Sequence, residues 1–277
     1  MSEVSTHLVH APTVVPNRIL NALLTIASRD VRRFLRDRER LISSLIFPLV
    51  FVGVLGGTSQ DSLGSALGFN VLHYIFIGVY AQTLFQSTAT GVISLIEDRE
   101  NDFSQEMFIA PISRYAIISG KILGESLVAL IQGVAVLLFG IILFGVRMSP
   151  IQLLVLIPVS LLVCLLGGAF GILILSLVSS QRAANQIFPF ILLPQFFLGG
   201  VLTPITNLKS PILVVLSHIA PLRYAVDLTR AVFYTGTPEA SKTILDNPVF
   251  NLIVIAGLFA IFLMVGTFLF VRNERNR

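Results

Sequence analysis

Six long stretches of this chain carry no Asp, Glu, Lys or Arg: residues 41–60, 62–96, 126–146, 148–181, 183–208 and 247–271. A helix crossing the hydrocarbon core of a bilayer needs about 20 mostly apolar residues. Each stretch reaches that length, so the pattern predicts an all-α integral membrane fold with six transmembrane helices. A seventh uncharged stretch, 210–222, is too short to span. Together with Gly199, Gly200, Pro204, Pro211 and Pro221 around it, it predicts a re-entrant region of short extracellular helices over 203–235, between spans five and six.

The first 40 residues lack an apolar core of their own, so no cleavable leader is expected. Residues 1–16 are read as a flexible tail. Over 17–40 the periodicity becomes helical. Leu20, Leu23, Leu24, Ala27, Val31, Phe34 and Leu35 form one stripe, with Arg29, Arg32, Arg33 and Arg36 elsewhere. This predicts an amphipathic helix at the inner leaflet, leading into a six-helix transmembrane domain over 41–272. A plain topology anchor and a helix transmitting force from a partner have the same pattern.

Six spans put both termini on one side. Of the 19 Lys and Arg, only Arg147, Lys209, Arg223, Arg230 and Lys242 then fall on the other side. The positive-inside rule therefore predicts cytoplasmic termini. Composition agrees with a membrane protein: 55% of residues are hydrophobic, 12% are charged, and mean hydropathy is +0.87. The basic balance, net charge +4, follows from that topology and gives no reason to expect nucleic acid. The lone Cys164 lies in an apolar run and reads as a small buried hydrophobe. Outside the membrane, "TSQDSLGSALG" and "VRMSP" read as short outer connections.

Between spans two and three lies "EDRENDFSQEMFIAPISR". Glu97, Asp98 and Glu100 gather where a helix N-terminus favours negative charge. Phe103, Met107 and Phe108 make an apolar edge beside Glu106, and Pro111 stops the helix. A short helix with this edge suits docking into a groove of another protein, so 97–115 reads as a docking segment.

In the re-entrant region, Arg223, Asp227 and Arg230 share a helix face and are expected to neutralise one another. Glu125 is expected to pair with Lys121, and His73 to be a packing residue. Gly53/Gly57, Gly64/Gly68, Gly120/Gly124 and Gly167/Gly171 have the spacing for close helix contacts. A phosphate loop, a metal-binding His pair and a nucleophile elbow are all missing, and the middles of the spans lack the charges of an ion-coupled transporter. The energy for uphill transport would have to come from another subunit.

Two local signatures resemble the type-2 ABC export permeases. One is "D-R-E-x-G-F-x-x-E-x-x-x-A-P-x-S-R", matched by Asp98, Arg99, Glu100, Phe103, Glu106, Ala110, Pro111, Ser113 and Arg114. The other is "F-L-S-G-x-x-x-P … P-L-x-Y-x-V-D-x-x-R", matched by Phe197, Leu198, Gly200, Pro204, Pro221, Leu222, Tyr224, Val226, Asp227 and Arg230. The chain departs from the pattern at Asp102, where glycine is usual, and at Gly199, where serine is common. With the topology, the resemblance covers about residues 17 to 272.

The resemblance implies that 97–113 is a coupling helix on a separate cytoplasmic ABC ATPase, with ATP and magnesium bound there and no cofactor on this chain. It also implies a second permease copy, identical or not, in a bacterial inner (plasma) membrane. The expected function is export of a hydrophobic or amphipathic substrate, a drug, lipid or glycolipid. The alternatives are a permease for lipid-linked glycans and, in another class, an ATP-independent channel or scaffold. An intramembrane enzyme would have to use Glu125 and His73, so no enzymatic activity is expected. Phe76, Tyr80, Phe85, Phe188, Phe196 and Phe197 are the aromatic candidates for a substrate path.

Overall fold

The computed structural model describes residues 16–100, 114–178, 180–205 and 210–275, and all of its regular structure is helical. The helices are α1 (Pro16–Arg36), α2 (Arg38–Phe51), α3 (Gly57–Leu67), α4 (Val71–Gly91), α5 (Ser94–Glu100) and α6 (Arg114–Phe144). After them come α7 (Pro150–Leu175), α8 (Gln181–Leu198), α9 (Pro211–Ile219), α10 (Pro221–Tyr234), α11 (Ala240–Thr243) and α12 (Pro248–Arg275).

The N-terminal amphipathic segment is not one helix to residue 40. Asp37 leaves helical geometry, with ψ 88, and its carboxylate accepts the Arg40 amide at 3.0 Å. That N-cap ends α1 and starts α2 in a new direction. Along the predicted stripe of α1, Ala27 and Phe34 are buried while Leu24 and Leu35 are exposed.

"TSQDSLGSALG" is mostly helix rather than loop. A π-helical turn at Val52–Gly56 joins α2 to α3. The Thr58 and Ser62 hydroxyls bond back to the carbonyls of Val54 and Thr58, at 2.8 and 2.9 Å, so these polar side chains are satisfied within the helix. The helix ends at Gly68, whose φ of 69 closes it in the left-handed region. "VRMSP" is a tight connection as expected, between Gly145 at φ 64 and an N-cap box made by Ser149 and Gln152.

Among the described residues, length and composition single out four membrane-crossing helices: Arg38–Gly64, Tyr115–Phe144, Pro150–Leu175 and Ala240–Asn273. The α9–α10 pair qualifies only jointly and is bent by 81° at Ala220, a break of the kind expected between 203 and 235. Helices α4 and α8, where spans two and five were predicted, fall short of that standard. Absence of charge is a weaker criterion than hydropathy. Gln82, Gln86, Ser87 and Thr90 dilute α4, as Gln181, Arg182, Asn185 and Gln186 dilute α8.

Helix α4 is nonetheless buried along most of its length against α6 and α7. Glycines set the closeness of that packing. A Cβ on Gly171 would stand 2.5 Å from the Ala89 carbonyl oxygen, and one on Gly167 would meet the Phe85 carbonyl. On α6, Gly120 and Gly124 form a notch for α1. A Cβ at Gly124 would lie 2.8 Å from an Asp30 carboxylate oxygen and 3.1 Å from the Ala27 Cα. Two of the four predicted glycine pairs thus bring helices together. Gly57 has open space beside it, and Gly68 is a cap.

Replacing Gly171 by leucine should force α4 and α7 apart and cost about 3 kcal/mol, the upper range for overpacking. Gly257 on α12 has nothing within 4 Å, so leucine there should be neutral. Thermal unfolding of the two variants in mild detergent checks the contrast.

Candidate functional site

Three helices meet at a buried cluster of charge. Asp30, two turns before the end of α1, lies on the same face as Ala27 and Phe34 and is 5% exposed. Lys121 and Glu125, one turn apart near the start of α6, are equally buried. The Lys121 Nζ donates to Asp30 Oδ2 at 2.8 Å and lies 2.9 Å from Glu125 Oε1, so one ammonium holds two carboxylates. From α2, the Arg40 guanidinium stands 3.5 Å from Glu125 Oε2. Arg29 adds a 3.4 Å contact to Asp30. Each buried charge has an opposite partner, the condition under which a low-polarity site tolerates ions.

The pairing of Lys121 with Glu125 matches the expectation. Asp30 was missed. Its signal was a lone carboxylate three residues after Ala27 and four before Phe34, on the apolar face of an otherwise basic helix.

The cluster reaches the predicted docking segment through α5. Arg33 of α1 lies 3.2 Å from Glu97, which tethers α1 to the first turn of α5. Asp98, Arg99 and Glu100 complete α5. Phe103, Glu106, Met107, Phe108 and Pro111 lie outside the described residues.

Beside the cluster, α2, α4 and α8 enclose a cleft of about 560 Å³. One wall is a polar stripe on α4: Gln82, Thr83, Gln86, Ser87 and Thr90, at helical spacing. The facing walls are aromatic and aliphatic, with Phe47 and Phe51 from α2 and Leu192, Leu193, Phe196 and Phe197 from α8. Gln82 donates to Gln86 at 2.9 Å, while its own carbonyl oxygen is buried without a partner. Next to the cleft, a polar space of about 310 Å³ is lined by Ser94, Glu97, Gln181 and Asn185. Arg40 lines both spaces. The α4 stripe could have been found in the sequence, since five Gln, Ser and Thr side chains recur at helical spacing inside an uncharged run.

The aromatic candidates divide. Phe196 and Phe197 line the cleft, but Phe76, Tyr80, Phe85 and Phe188 are core residues. Phe76 packs on Gly140, the Tyr80 hydroxyl lies 2.9 Å from Ser160 Oγ, and Phe85 stacks on Phe170 at 5.4 Å. Phe76, Tyr80 and Phe85 point to the glycine-lined faces of α6 and α7, away from the cleft, while Phe188 borders the polar space beside it. His73 is a packing residue as read, its Nε2 at 3.1 Å from the Phe144 carbonyl.

At the other end of the bundle, α10 is buried throughout. Its charges do not neutralise one another, because enclosure brings each to a neighbour's backbone or side chain first. Asp227 accepts from the amides of Leu245 and Asp246, both at 2.8 Å, and from Asn251 Nδ2 at 2.7 Å. Arg230 donates to the Gly200 carbonyl at 2.7 Å and sits 3.5 Å over the Tyr74 ring. Arg223 pairs with Asp246 at 3.1 Å and donates to Ser217. Tyr224 donates to the His218 carbonyl at 2.7 Å, and Pro221 opens the helix at its first position. Together these contacts fasten α10 to α4, α8 and α12.

Replacing Lys121 by methionine strands Asp30 and Glu125 and should destabilise the fold by about 3–5 kcal/mol. Adding Asp30→Asn and Glu125→Gln should restore most of the loss, since the remaining Arg40 side chain is 41% exposed. Thermal midpoints of the single and triple variants decide it.

Comparison with known proteins agrees with this architecture. The family model described as ABC-2 type transporter matches residues 21–234, from α1 to the end of α10. The ycf38 protein of Cyanophora paradoxa, named as a transport permease, is 26% identical over 248 residues, covering 86% of this chain and 85% of its own. YadH of Escherichia coli, named as an inner membrane transport permease, is 24% identical, covering 74% of this chain and 80% of its own. YbhR of the same organism, named as a multidrug ABC transporter permease, is 29% identical over 60% of this chain but only 44% of its own length. With its helices, its buried α10 and most of its length inside the family match, this multi-pass membrane protein belongs to the ABC-2 type transporter family, as a transport subunit.

Proposed function

We propose that this chain is the permease subunit of an ATP-driven exporter and that its substrate occupies the cleft between α2, α4 and α8. The observation that carries the reading is the polar stripe of α4. A helix with five Gln, Ser and Thr side chains on one face is a poor neighbour for lipid, where unsatisfied polar groups are costly. Facing a cleft with aromatic walls, the same stripe offers hydrogen bonds to an amphipathic molecule. Gln86, the exposed member of the stripe, presents its amide to such a guest.

On this reading α4 and α8 are the second and fifth of six spans, shielded from lipid by their neighbours, and α9–α10 is a re-entrant pair. Both termini are cytoplasmic, following the distribution of Lys and Arg. The segment 97–113 docks on a separate ABC ATPase that binds ATP and magnesium. Its movements reach α1 through Arg33–Glu97, and α2 and α6 through Asp30, Lys121, Glu125 and Arg40.

A second permease copy, identical or not, packs against the exposed apolar residues of α2, among them Ile42, Ile46, Phe47 and Val50. The membrane is a bacterial inner membrane, the site named for YadH. A cleft of about 560 Å³ suits a drug or a single lipid chain better than a glycan polymer, and YbhR's name points the same way.

The experiment co-expresses the chain with the ATPase encoded beside it. Glu106→Lys with Phe108→Ala should abolish co-purification. Gln86→Leu should leave co-purification intact yet lower ATP-dependent uptake of a fluorescent amphiphile into inverted vesicles about 10-fold, the scale of one lost polar contact. Uptake that proceeds equally without ATP would overturn the exporter reading in favour of a channel.

A further inference from the structure

We infer that the cleft selects amphiphiles with an anionic headgroup, phosphate or carboxylate, and that Arg40 is the residue that selects them. The inference rests on the cleft being the substrate site. Among the described residues lining it, Arg40 is the one cation, and no carboxylate is present. The other polar groups there are neutral amides and hydroxyls. A cationic headgroup would therefore meet no countercharge inside the cleft, whereas an anionic one would meet a guanidinium suited to bidentate recognition.

Position reinforces charge. Arg40 stands where the aromatic chamber opens into the polar space beside it, since it lines both. A headgroup at Arg40 leaves an acyl tail free to lie along Phe47, Phe51 and Phe196. Phe51 and Phe196 meet edge to face at 5.2 Å, which makes a continuous apolar wall.

Arg40 is also available. Its side chain is 41% exposed, and its approach to Glu125 is a 3.5 Å ion pair without a hydrogen bond, since Glu125 Oε2 has no hydrogen-bond partner. The other oxygen of Glu125 stays with Lys121 at 2.9 Å. Arg40 can turn toward an incoming anion while Glu125 keeps its contact with Lys121. Among the described side chains, the remaining acids at this level are occupied or turned away. Glu97, in the polar space, is paired with Arg33, Asp37 caps the Arg40 amide, and Glu39 lines a shallow groove along the outer side of α2. Occupying Arg40 would loosen the contact between α2 and α6, so the same residue would report the substrate to the charge cluster.

The chain contains no tryptophan, so Phe197→Trp places a single indole in the cleft. The full chain carrying this reporter, in phosphatidylcholine nanodiscs, is titrated with dodecyl phosphate, laurate, dodecyltrimethylammonium and inorganic phosphate. Both anionic amphiphiles should change the emission at concentrations about 10-fold below the cationic one, and inorganic phosphate should leave it unchanged. Arg40→Gln should erase the difference while the cationic probe still binds as before, which also shows that the variant is folded. Arg40→Lys should keep most of the preference. Equal midpoints for anionic and cationic probes, a preference that survives Arg40→Gln, or a response to inorganic phosphate alone would each overturn the inference and leave the cleft reading standing. Emission unmoved by every probe would overturn the cleft reading and the inference with it.

Discussion

One ammonium group, that of Lys121, holds together the end of the bundle where α1, α2, α5 and α6 converge. It sits between Asp30 at 2.8 Å and Glu125 at 2.9 Å, with almost no access to water. Three ions in such a place are stable only as a set. Desolvation penalises each of them, and their mutual attraction offsets that cost only while the geometry holds. The geometry in turn depends on Gly120 and Gly124, which let α1 approach α6 closely enough for Asp30 to reach across. The glycine notch, the amphipathic helix and the charge cluster are therefore one feature: without the notch, Asp30 could not reach Lys121.

The same economy of small residues shapes α4. Its two sides face different neighbours. Toward α7 the backbones touch at Gly167 and Gly171, leaving room for no side chain on the opposing face. Toward α2 and α8 it offers amides and hydroxyls to a cleft. A helix built this way cannot have the composition of a lipid-facing span, because one face is packed and the other is polar. Its modest hydropathy follows from its central position, where helices α6, α7 and α12 can face lipid and remain almost wholly apolar.

Much of this was legible in the chain. Uncharged runs located the long helices, and proline with glycine located the break between α9 and α10. The spacing of four placed Lys121 beside Glu125. The difficulty lay in side-chain partners distant in sequence. Arg223, Asp227 and Arg230 have spacing that allows mutual pairing, but the amides of Leu245 and Asp246 and the Gly200 carbonyl lie in segments whose proximity only the fold creates. Phe76, Tyr80 and Phe85 lie in the core rather than on the cleft, and the pattern could not show it for a related reason. An aromatic side chain in a membrane helix reads the same whether it faces a cleft or a glycine on the next helix. The polar stripe of α4 was the better signal, because burying amides requires a reason and burying phenylalanine does not.

The two ends of the molecule differ in how firmly they are fastened, and this decides where movement can occur. At the α10 end, Asp227 takes three hydrogen bonds of 2.7 to 2.8 Å, two of them from main-chain amides, and Arg230 is enclosed between carbonyls and the Tyr74 ring. Breaking any of these would leave a buried charge unsatisfied. At the opposite end, the ion pairs that join α2 and α5 to their neighbours are Arg40–Glu125 at 3.5 Å and Arg33–Glu97 at 3.2 Å, each with a half-exposed arginine. Exposed pairs of this kind contribute about 0–1 kcal/mol and re-form readily with water or another anion. A force applied near α5 would therefore open the α2 side of the cleft well before it disturbed α10. The hinge of such a motion is already marked by Asp37, where the chain leaves helical geometry between α1 and α2.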